Sequence, residues 1–335
     1  MRIATYNVEW FSNLFDDAGR LLEDDQGSGR LDVTRREQIL ALGKVFGAID
    51  ADAIMVIEAP DENRRRSSRL ALETFAERFG LRASKAMIGF GNTTQQEIAL
   101  LFDPHVLEAR HDPRETEAVP RFDGAFAIDL DTDAAPDLVR WSKPPFEVAV
   151  RALASGKAFR MIGVHAKSKA PYGSSDPAEI LRISIENRRK QLAQCIWLRK
   201  RVVEDLEAGD DVIVLGDFND GPGLDEYEKL FGRSSVEIVL GEDGGEKLYD
   251  PHAALAITQR IGASPTTSRF RIPPEGNYLS ALLDYIMVSP RLRALGPRWA
   301  IWHPFENAGC YRQSELRDAL LTASDHFPVT LDIDL

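Results

Sequence analysis

The sequence predicts a single α/β domain in which two β-sheets pack face to face and helices cover their outer faces. Two observations support this fold class. Short apolar runs with strand character outnumber the helical patterns, and hairpin-like pairs of runs are mixed with helical crossovers. The chain of 335 residues contains no internal repeat, low-complexity tract or linker that would divide it. We therefore expect one domain over residues 1–335.

The N-terminal part predicts a strand, a helix and a second strand. Residues 2–8 form an apolar run that ends near Asn7, and a polar loop follows at 16–30. Thr34 and Glu37 fit the T-x-x-E capping box, which predicts a helix extending to about residue 49. The apolar run 53–57 then predicts a buried strand that ends at Glu58.

The middle of the chain predicts mainly strands. Ser67 or Ser68 is expected to cap a second helix that ends near Gly80. Runs 146–153 and 159–164 flank a Ser-Gly turn and predict a hairpin. Two further strands are expected at residues 86–90 and 97–102, and another at 126–130.

The C-terminal part centres on a buried strand at 212–215, preceded by a long helix at 178–208. Gly216 follows this strand and allows the chain to turn or be approached closely. Other expected features are a short helix at 224–231, a Gly-rich stretch to 245, strands at 266–271, 282–288 and 329–333, and a polar loop with aromatic residues at 302–318.

The composition excludes some classes of protein. The chain has 41 basic and 53 acidic residues and a net charge of −12, which argues against a broad basic surface for nucleic acid. A local basic groove, or metal ions that bridge to phosphate, remain compatible with this charge. The two cysteines build no disulfide framework. No signal peptide or membrane-spanning run is visible, so we expect a cytoplasmic protein, and no protein partner is indicated.

Polar side chains follow many of the predicted strands. Asp217 and Asn219 leave the end of strand 212–215 on the same side, because side chains alternate along an extended chain. Ligands in α/β folds gather at strand ends, so residues in such positions are candidates for one shared site. The other members of this set are Asn7, Glu9, Glu58, His165, Asp284, Asp325 and His326.

This set of side chains favours metal-assisted chemistry on phosphate. It contains no cysteine, no serine beside a plausible base, no zinc-binding pattern and no Gly-rich phosphate loop. Carboxylates and amides without thiolates favour a hard cation, Mg²⁺ or Mn²⁺. Two histidines together with such a metal suit the hydrolysis of a phosphate ester.

Six motifs at or near the predicted strand ends occur in order along the chain. They are YNVEWF at 6–11, VIEAPDE at 56–62, GVHAKSK at 163–169, VLGDFND at 214–220, LDYIMVSP at 283–290 and SDHFPV at 324–329. Together they span the chain from Asn7 to His326 and resemble the endonuclease/exonuclease/phosphatase superfamily, whose members include DNases, abasic-site endonucleases and sphingomyelinases. The resemblance implies a DNase-like four-layer α/β sandwich, with two mixed sheets and the site at one rim.

The resemblance also implies which residues hold the metal. Glu58 would be the principal ligand of Mg²⁺ or Mn²⁺. Asn7 and Glu9 would lie beside the ion, and Asp325 would assist the metal or the water. The family usually has Gln before the glutamate, whereas Ile57 precedes Glu58 here, so a polar contact is expected to be missing.

The catalytic roles follow from the same resemblance. Asp217 would orient or deprotonate the attacking water, and Asn219 would hold both the phosphate and Asp217. His326, oriented by Asp284, would contact a phosphoryl oxygen. The second histidine would be His165, and Glu97 matches the acid that orients this histidine in the DNase branch; an ordinary edge-strand charge is the alternative for Glu97.

The substrate is less well specified than the chemistry. The motifs favour a nucleic-acid phosphodiester. A lipid head group or small-molecule phosphate ester is the alternative, although no amphipathic membrane segment supports a lipid. A catalytically inactive binding protein on the same fold is a third possibility. The intact set of strand-end residues argues against a catalytically inactive protein.

Two loops are expected to form the walls of the substrate site, because they adjoin proposed catalytic residues. Lys167, Lys169 and Tyr172 lie in the first loop, and Trp302 begins the second. Aromatic faces with nearby cations suit stacked bases along a phosphate backbone. Solvated loop charges and aromatic packing onto the sandwich are the alternatives. Arg188 is interpreted as a solvated charge on the long helix.

Overall fold

The structure is a computed structural model. It describes residues 1–129, 137–170, 176–224, 232–241, 245–258, 264–272 and 276–335. Within these ranges, a search for long apolar helices finds none that could cross a membrane.

The described chain consists of many short strands with helices between them. The strands are β1 (Arg2–Asn7), β2 (Ala53–Ala59), β3 (Lys85–Ile88), β4 (Glu97–Phe102), β5 (Leu107–His111), β6 (Phe126–Ile128), β7 (Asp137–Val139), β8 (Phe146–Ala152), β9 (Ala158–His165), β10 (Val212–Asp217), β11 (Ser268–Ile272), β12 (Asn277–Ala281), β13 (Asp284–Val288), β14 (Arg298–Ile301) and β15 (Val329–Asp332). The helices are α1 (Arg35–Ile49), α2 (Ser68–Phe79), α3 (Pro177–Glu207), α4 (Ser235–Leu240), α5 (Pro251–Thr258), α6 (Pro290–Arg293), α7 (Ala308–Arg312) and α8 (Ser314–Ala323), with a 3-10 helix at Phe11–Leu14.

Two mixed sheets form the centre of the fold. The six-stranded sheet has the order β14-β15-β1-β2-β4-β3, and the five-stranded sheet has the order β13-β10-β9-β8-β5. Each sheet contains one parallel pair, β1 with β2 and β9 with β10. Parallel neighbours end at the same edge of a sheet, so the polar residues that follow them are brought together.

The alternation of side chains along the strands produces four layers. In β10, Ile213 and Leu215 belong to the core between the sheets, whereas Val212 and Val214 pack in the core beneath α3 and α4. A third core joins the opposite face of the six-stranded sheet to α1, α2 and α8. This arrangement confirms the predicted sandwich of two sheets flanked by helices.

The capping signals in the sequence mark real helix starts. Thr34 accepts a hydrogen bond from the backbone N–H of Glu37, and the Glu37 side chain accepts one from Thr34 N, which completes the capping box of α1. Ser67, rather than Ser68, caps α2 through the N–H of Leu70. The long helix and the hairpin of β8 and β9 also lie where the sequence predicts them.

The prediction of a loop at 302–318 was wrong, because this stretch contains α7 and the first half of α8. Asn307 caps α7 by accepting hydrogen bonds from the N–H groups of Gly309 and Cys310. Leu316 and Leu320 give α8 an apolar face that packs in the same core as α1. The apolar spacing within α8 is therefore a helical signal inside a stretch that is otherwise polar and aromatic.

Several other elements were missed. No element was predicted at the positions of β5, β7, β12, β14, α5 or α6, and α4 lies in what was predicted to be a Gly-rich stretch. α4 begins with its own capping box, in which Ser234 pairs with Glu237. Most of the helix predicted at 224–231 lies outside the described residues.

Candidate active site

The predicted strand-end residues meet where the two sheets pack against each other. Asp217, at the end of β10, lies opposite His165 of β9 on one side and Asp284 of β13 on the other. Asn7 reaches across from β1 in the other sheet, and its Nδ2 donates to Asp217 Oδ2 at 3.0 Å. The site is therefore centred on Asp217, which receives contacts from both sheets.

A cavity of about 870 Å³ opens at this position. Asp284 does not line the cavity, because it is buried behind His326. The predicted site residues that do line it are Asn7, Glu9, Glu58, His165, Lys167, Lys169, Asp217, Asn219, Asp325 and His326.

His326 is held as a cation by two carboxylates. Its Nδ1 lies 2.8 Å from Asp284 Oδ2, which also accepts a hydrogen bond from Thr267 Oγ1 at 2.8 Å. Burial alone would lower the pKa of His326, but Asp284 and Asp217 outweigh burial and raise the pKa to about 10. His326 therefore carries a proton at neutral pH and can donate it, or a hydrogen bond, to an oxygen in the cavity.

Asp217 is a buried carboxylate surrounded by donors. It accepts hydrogen bonds from Asn7 Nδ2, from Asn219 N at 2.7 Å and from Asn219 Nδ2 at 3.3 Å. Burial raises the pKa of Asp217 to about 7, although His326 and these donors act in the opposite direction. A carboxylate with this pKa can accept a proton from water near neutral pH.

The second histidine has the opposite electrostatic environment. Burial, followed by the charges of Lys143 and His326, holds the pKa of His165 well below its usual range. Lys143 Nζ lies 3.2 Å from His165 Nε2, so a neutral imidazole accepts a hydrogen bond from the ammonium group. The site thus contains one protonated and one neutral histidine, which suits different roles in one reaction.

Lys143 is a site residue that the sequence analysis missed. It lies just before β8, faces the cavity and interacts electrostatically with Glu58 and Asp217. Because β8 is antiparallel to β9, its beginning lies at the same edge as the end of β9. In the sequence, Lys143 is recognisable as a cation that lies just before the first strand of the predicted hairpin.

Arg188 was wrongly interpreted as a solvated helix charge. Only 1% of its surface is exposed, it lines the cavity, and its Nη1 donates to Asp220 Oδ1 at 3.1 Å. Lys169 Nζ lies 2.5 Å from the same oxygen. Asp220 therefore positions both cations at the wall of the cavity, and neither is a solvated charge.

Glu97 does not orient His165. The Glu97 carboxylate accepts hydrogen bonds from Asn92 Nδ2 at 2.7 Å and, over longer distances, from the backbone N–H groups of Asn92 and Glu62. His165 Nδ1 is buried and has no hydrogen-bond partner among the described residues. Glu97 instead joins the loop after β2 to the loop before β4.

This buried carboxyl predicts a specific dependence of stability on pH. Burial raises the pKa of Glu97 from its ordinary 4.5 to about 7. The stabilisation from its protonated form is therefore fully present below pH 4.5 and is lost as the pH rises through 7. Glu97→Gln cannot ionise, so we expect the variant to be more stable than the unaltered protein at pH 8, by about 1 kcal/mol.

Urea unfolding at pH 5 and at pH 8 measures this difference. Glu108→Gln is the matched control, because Glu108 is exposed on β5. Equal loss of stability between the two pH values in the unaltered protein and in Glu97→Gln would show that the carboxyl ionises without cost.

Trp302 does not form a wall of the cavity. It packs against the core beneath α1 and α8, and its Nε1 donates to Thr330 Oγ1 at 3.1 Å. Phe305 and Tyr311, from the same stretch, are exposed but are not among the residues that line the cavity. Tyr172, predicted in the other loop, lies outside the described residues.

The oxygen-rich side of the cavity fits a divalent cation. Burial raises the pKa of the Glu58 carboxyl, and the hydrogen bond that its Oε2 accepts from Trp10 N is long, at 3.3 Å. Asp325 Oδ1 is buried without a hydrogen-bond partner among the described residues. A hard cation would satisfy these oxygens and offset the cost of burying them.

A second group of possible ligands lies nearby. Asp217, Asp284 and His326 each offer a ligand atom, and these atoms lie within 4.8 Å of one another. Because His326 Nδ1 and Asp284 are already hydrogen-bonded to each other, the oxygens of Glu58 and Asp325 fit a cation better. Glu9 is a weaker candidate, since its carboxylate pairs with Arg30 and accepts from Asp325 N.

The backbone is strained around this cavity. Glu9, Trp10, Glu58 and Asn219 all have positive φ, at 43°, 60°, 61° and 50°. Each of these four residues lines the cavity. Positive φ is unfavourable for residues other than glycine and persists only where the surrounding structure enforces it. The positions of these side chains are therefore fixed in advance rather than selected on binding.

A known protein family matches this chain over nearly its whole length. The model of the endonuclease/exonuclease/phosphatase family matches residues 4–326. A comparison with curated protein sequences finds no match.

Solved structures share the fold at low sequence identity. An AP endonuclease from Archaeoglobus fulgidus has a TM-score of 0.51 and 13% identity, with 100% of both chains covered. A 3′ phosphatase from Neisseria, bound to a product DNA hairpin, has a TM-score of 0.51 and 15% identity over 100% of both chains. A mannosyl-6-phosphatase from Bacteroides thetaiotaomicron has a TM-score of 0.50 and 14% identity, again over 100% of both chains. With the family match spanning nearly the whole chain and the fold shared, the chain belongs to the endonuclease/exonuclease/phosphatase family.

Proposed function

We propose that this protein is a divalent-metal-dependent phosphodiesterase that hydrolyses nucleic acid. The observation that carries the proposal is the environment of Asp217. This buried carboxylate is held by Asn7 and Asn219, and His326 Nε2 lies 3.9 Å from its Oδ2. A base and a protonated imidazole therefore face one cavity from neighbouring positions, so that Asp217 can hold the attacking water while His326 contacts an oxygen of the same phosphoryl group.

The side chains have separate roles in this proposal. Asp217 accepts the proton of the attacking water, and Asn219 fixes the orientation of the Asp217 carboxylate. His326 stabilises negative charge on a phosphoryl oxygen, and Asp284 holds its imidazolium in place. Lys143 places a second cation beside His165 on the other side of Asp217.

Mg²⁺ or Mn²⁺ is the proposed cofactor. Glu58 and Asp325 would hold the ion, with Asn7 beside it, because their oxygens are the least satisfied in the cavity. When bound, such an ion neutralises phosphoryl oxygens and stabilises the charge that develops on them.

Nucleic acid is the substrate class that the local charge favours. Lys143 and Lys167 place ammonium groups in the cavity of a chain whose net charge is −12. Lys167 forms no ion pair with any residue that the structure describes, so its charge is available for a phosphate. A phosphodiester strand would supply phosphates on both sides of the bond that is cut.

A small phosphate ester, including a lipid head group or a sugar phosphate, is the second candidate. The positions of Lys169 and Arg188 favour it, because Asp220 offsets part of their charge and so lowers the positive potential that they offer to a polyanion. A mannosyl-6-phosphatase is among the proteins that share the fold.

Lys167 provides a test of the nucleic-acid proposal. We expect Lys167→Ala to raise KM for a DNA or RNA oligonucleotide by roughly tenfold at moderate salt, because one phosphate contact is lost. The dependence of kcat/KM on salt should also become less steep, by about one unit of the logarithmic slope.

Lys85→Ala is the matched control, since Lys85 is exposed at the end of β3 that lies opposite the site. Unchanged KM and salt dependence in Lys167→Ala would show that Lys167 does not contact a phosphate of the substrate. Hydrolysis of sugar phosphates, without any cleavage of DNA or RNA, would support the second candidate instead.

A further inference from the structure

Trp10 presents an exposed aromatic surface inside the cavity. Its relative exposure is 46%, it lines the cavity, and it directly follows Glu9. Its backbone N–H donates to Glu58 Oε2 at 3.3 Å, so this residue begins beside the carboxylate proposed to hold the metal. An exposed indole contributes little to the core, which leaves its position without a packing explanation.

The chain around Trp10 is built to keep this side chain in place. Trp10 has left-handed φ and ψ of 60° and 28°, which is unfavourable for a bulky residue. The next residue, Phe11, is fully buried and fixes the chain on one side. A Cβ atom at Gly29 would lie 3.0 Å from Trp10 Cγ, so the glycine allows the backbone to support the tryptophan closely. The indole is therefore supported from one side while nearly half of its surface stays exposed.

The other aromatic residue among those that line the cavity is already engaged. The Phe270 ring contacts the His326 imidazole edge-on, with ring centroids 5.5 Å apart. Among the residues that the structure describes, Trp10 is consequently the aromatic face in this cavity that remains available to a substrate.

Exposed cations lie in a loop that the segment after Trp10 contacts. Ser12, two residues after Trp10, accepts a hydrogen bond from Asp61 N at 2.8 Å and so joins this segment to the loop after β2. Arg64 and Arg65 in that loop are exposed and form no ion pair with other described residues. An aromatic face followed by unpaired guanidinium groups matches a base followed by phosphates of one strand.

We infer that Trp10 stacks on the nucleobase next to the phosphodiester that is cut, and that the strand continues past it toward Arg64 and Arg65. This inference rests on the proposed nuclease function and identifies the residue that gives a nucleic-acid strand its position. Stacking on an indole tolerates every base, so Trp10 binds single-stranded nucleic acid with little sequence preference.

The first test compares oligonucleotides that have or lack the base on either side of the cut. We expect Trp10→Ala to raise KM for the intact single-stranded oligonucleotide by roughly tenfold to a hundredfold, and Trp10→Phe to restore most of the loss. Removing the adjacent base from the oligonucleotide should raise KM strongly for the unaltered enzyme and much less for Trp10→Ala. The reason is that the missing base and the missing indole remove the same contact. Tyr311→Ala is the control, since Tyr311 is exposed outside the cavity.

The second test measures binding without turnover. In an Asp217→Asn background, a short single-stranded oligonucleotide should quench tryptophan fluorescence by stacking on the indole. Adding Trp10→Phe should abolish most of this quenching, because Trp141 and Trp197 are buried and the partly buried Trp299 and Trp302 do not line the cavity. This readout does not depend on whether Trp10→Ala folds.

The outcomes separate the inference from the proposed function. If the unaltered enzyme cuts nucleic acid but the missing base affects it and Trp10→Ala equally, the stacking inference is overturned and the proposed function stands. Quenching that persists in the Trp10→Phe protein would overturn it as well. If the unaltered enzyme cuts no DNA or RNA, both the proposed function and this inference are overturned.

Discussion

Asp217→Asn is expected to lower kcat by roughly two or more orders of magnitude without unfolding the protein. The amide is the same size as the carboxylate, and its single oxygen can still accept the hydrogen bond from Asn7, while its NH2 group replaces the oxygen that accepts from Asn219 N. It cannot take a proton from water, and it no longer carries the charge that helps to keep His326 protonated. The loss should therefore appear in kcat, with a smaller change in KM.

The effect of Asp217→Asn should not add to that of His326→Ala. Both side chains act on the same transition state, so the double variant should be about as inactive as the worse single variant. Asp211→Asn is the matched control, because Asp211 precedes the same strand at its opposite end. If the Asp217→Asn protein folds and has nearly normal kcat, Asp217 takes no part in catalysis.

Glu58→Gln is expected to weaken metal binding without lowering the stability of the metal-free protein. We expect the variant to bind Mn²⁺ more than about 100-fold more weakly, since the loss of even an outer partner of a metal ligand costs 10- to 100-fold. Burial raises the pKa of Glu58, which means that its charge is unfavourable in the metal-free protein. The neutral amide should therefore leave the metal-free protein at least as stable as before.

Calorimetric titration with Mn²⁺ and urea unfolding in EDTA measure the two effects. Glu108→Gln, on the exposed face of β5, is the control for both. Unchanged Mn²⁺ affinity in Glu58→Gln would assign the ion to Asp217, Asp284 and His326 instead. Lower stability in EDTA would show that Glu58 stabilises the fold through contacts of its own.

The centre of the site was predictable because it depends on strand ends. Asp217, His165 and Asp284 follow or begin apolar runs, and strand pairing places them in one row. The reason is geometric: once the two runs 159–164 and 212–215 pair in parallel, both end at the same edge of the sheet. The capping boxes were predictable for a similar reason, since their hydrogen bonds lie within four residues.

Residues positioned by tertiary packing were not predictable in this way. The side of α3 on which Arg188 lies depends on how the helix packs, and Asp220 is 32 residues away in sequence. Glu97 was assigned to His165 by resemblance, yet Asn92 and the loop after β2 occupy its carboxylate. Trp302 has the composition of a binding-loop residue, but its indole is turned into the core.

Two features that were not predicted, α4 and Lys143, follow sequence patterns of the same kind as those that gave correct predictions. Ser234 and Glu237 have the same spacing as Thr34 and Glu37, so α4 was open to the same argument despite its Gly-rich surroundings. Lys143 lies just before an antiparallel strand, whereas the predicted site residues lie mainly at strand ends. Both beginnings and ends of paired strands therefore need inspection where a sheet contains antiparallel neighbours.

The most direct test of the account is a cleavage assay with purified protein. It compares single-stranded DNA, plasmid DNA, RNA, a small phosphodiester, sugar phosphates and sphingomyelin vesicles, each in Mg²⁺ and in EDTA, with Asp217→Asn as the blank. The account predicts Mg²⁺-dependent cleavage of nucleic acid that EDTA abolishes, that added Mg²⁺ or Mn²⁺ restores, and that Asp217→Asn lacks. Undiminished hydrolysis after exhaustive chelation, or turnover of small esters or lipid without any cut in DNA or RNA, would contradict it.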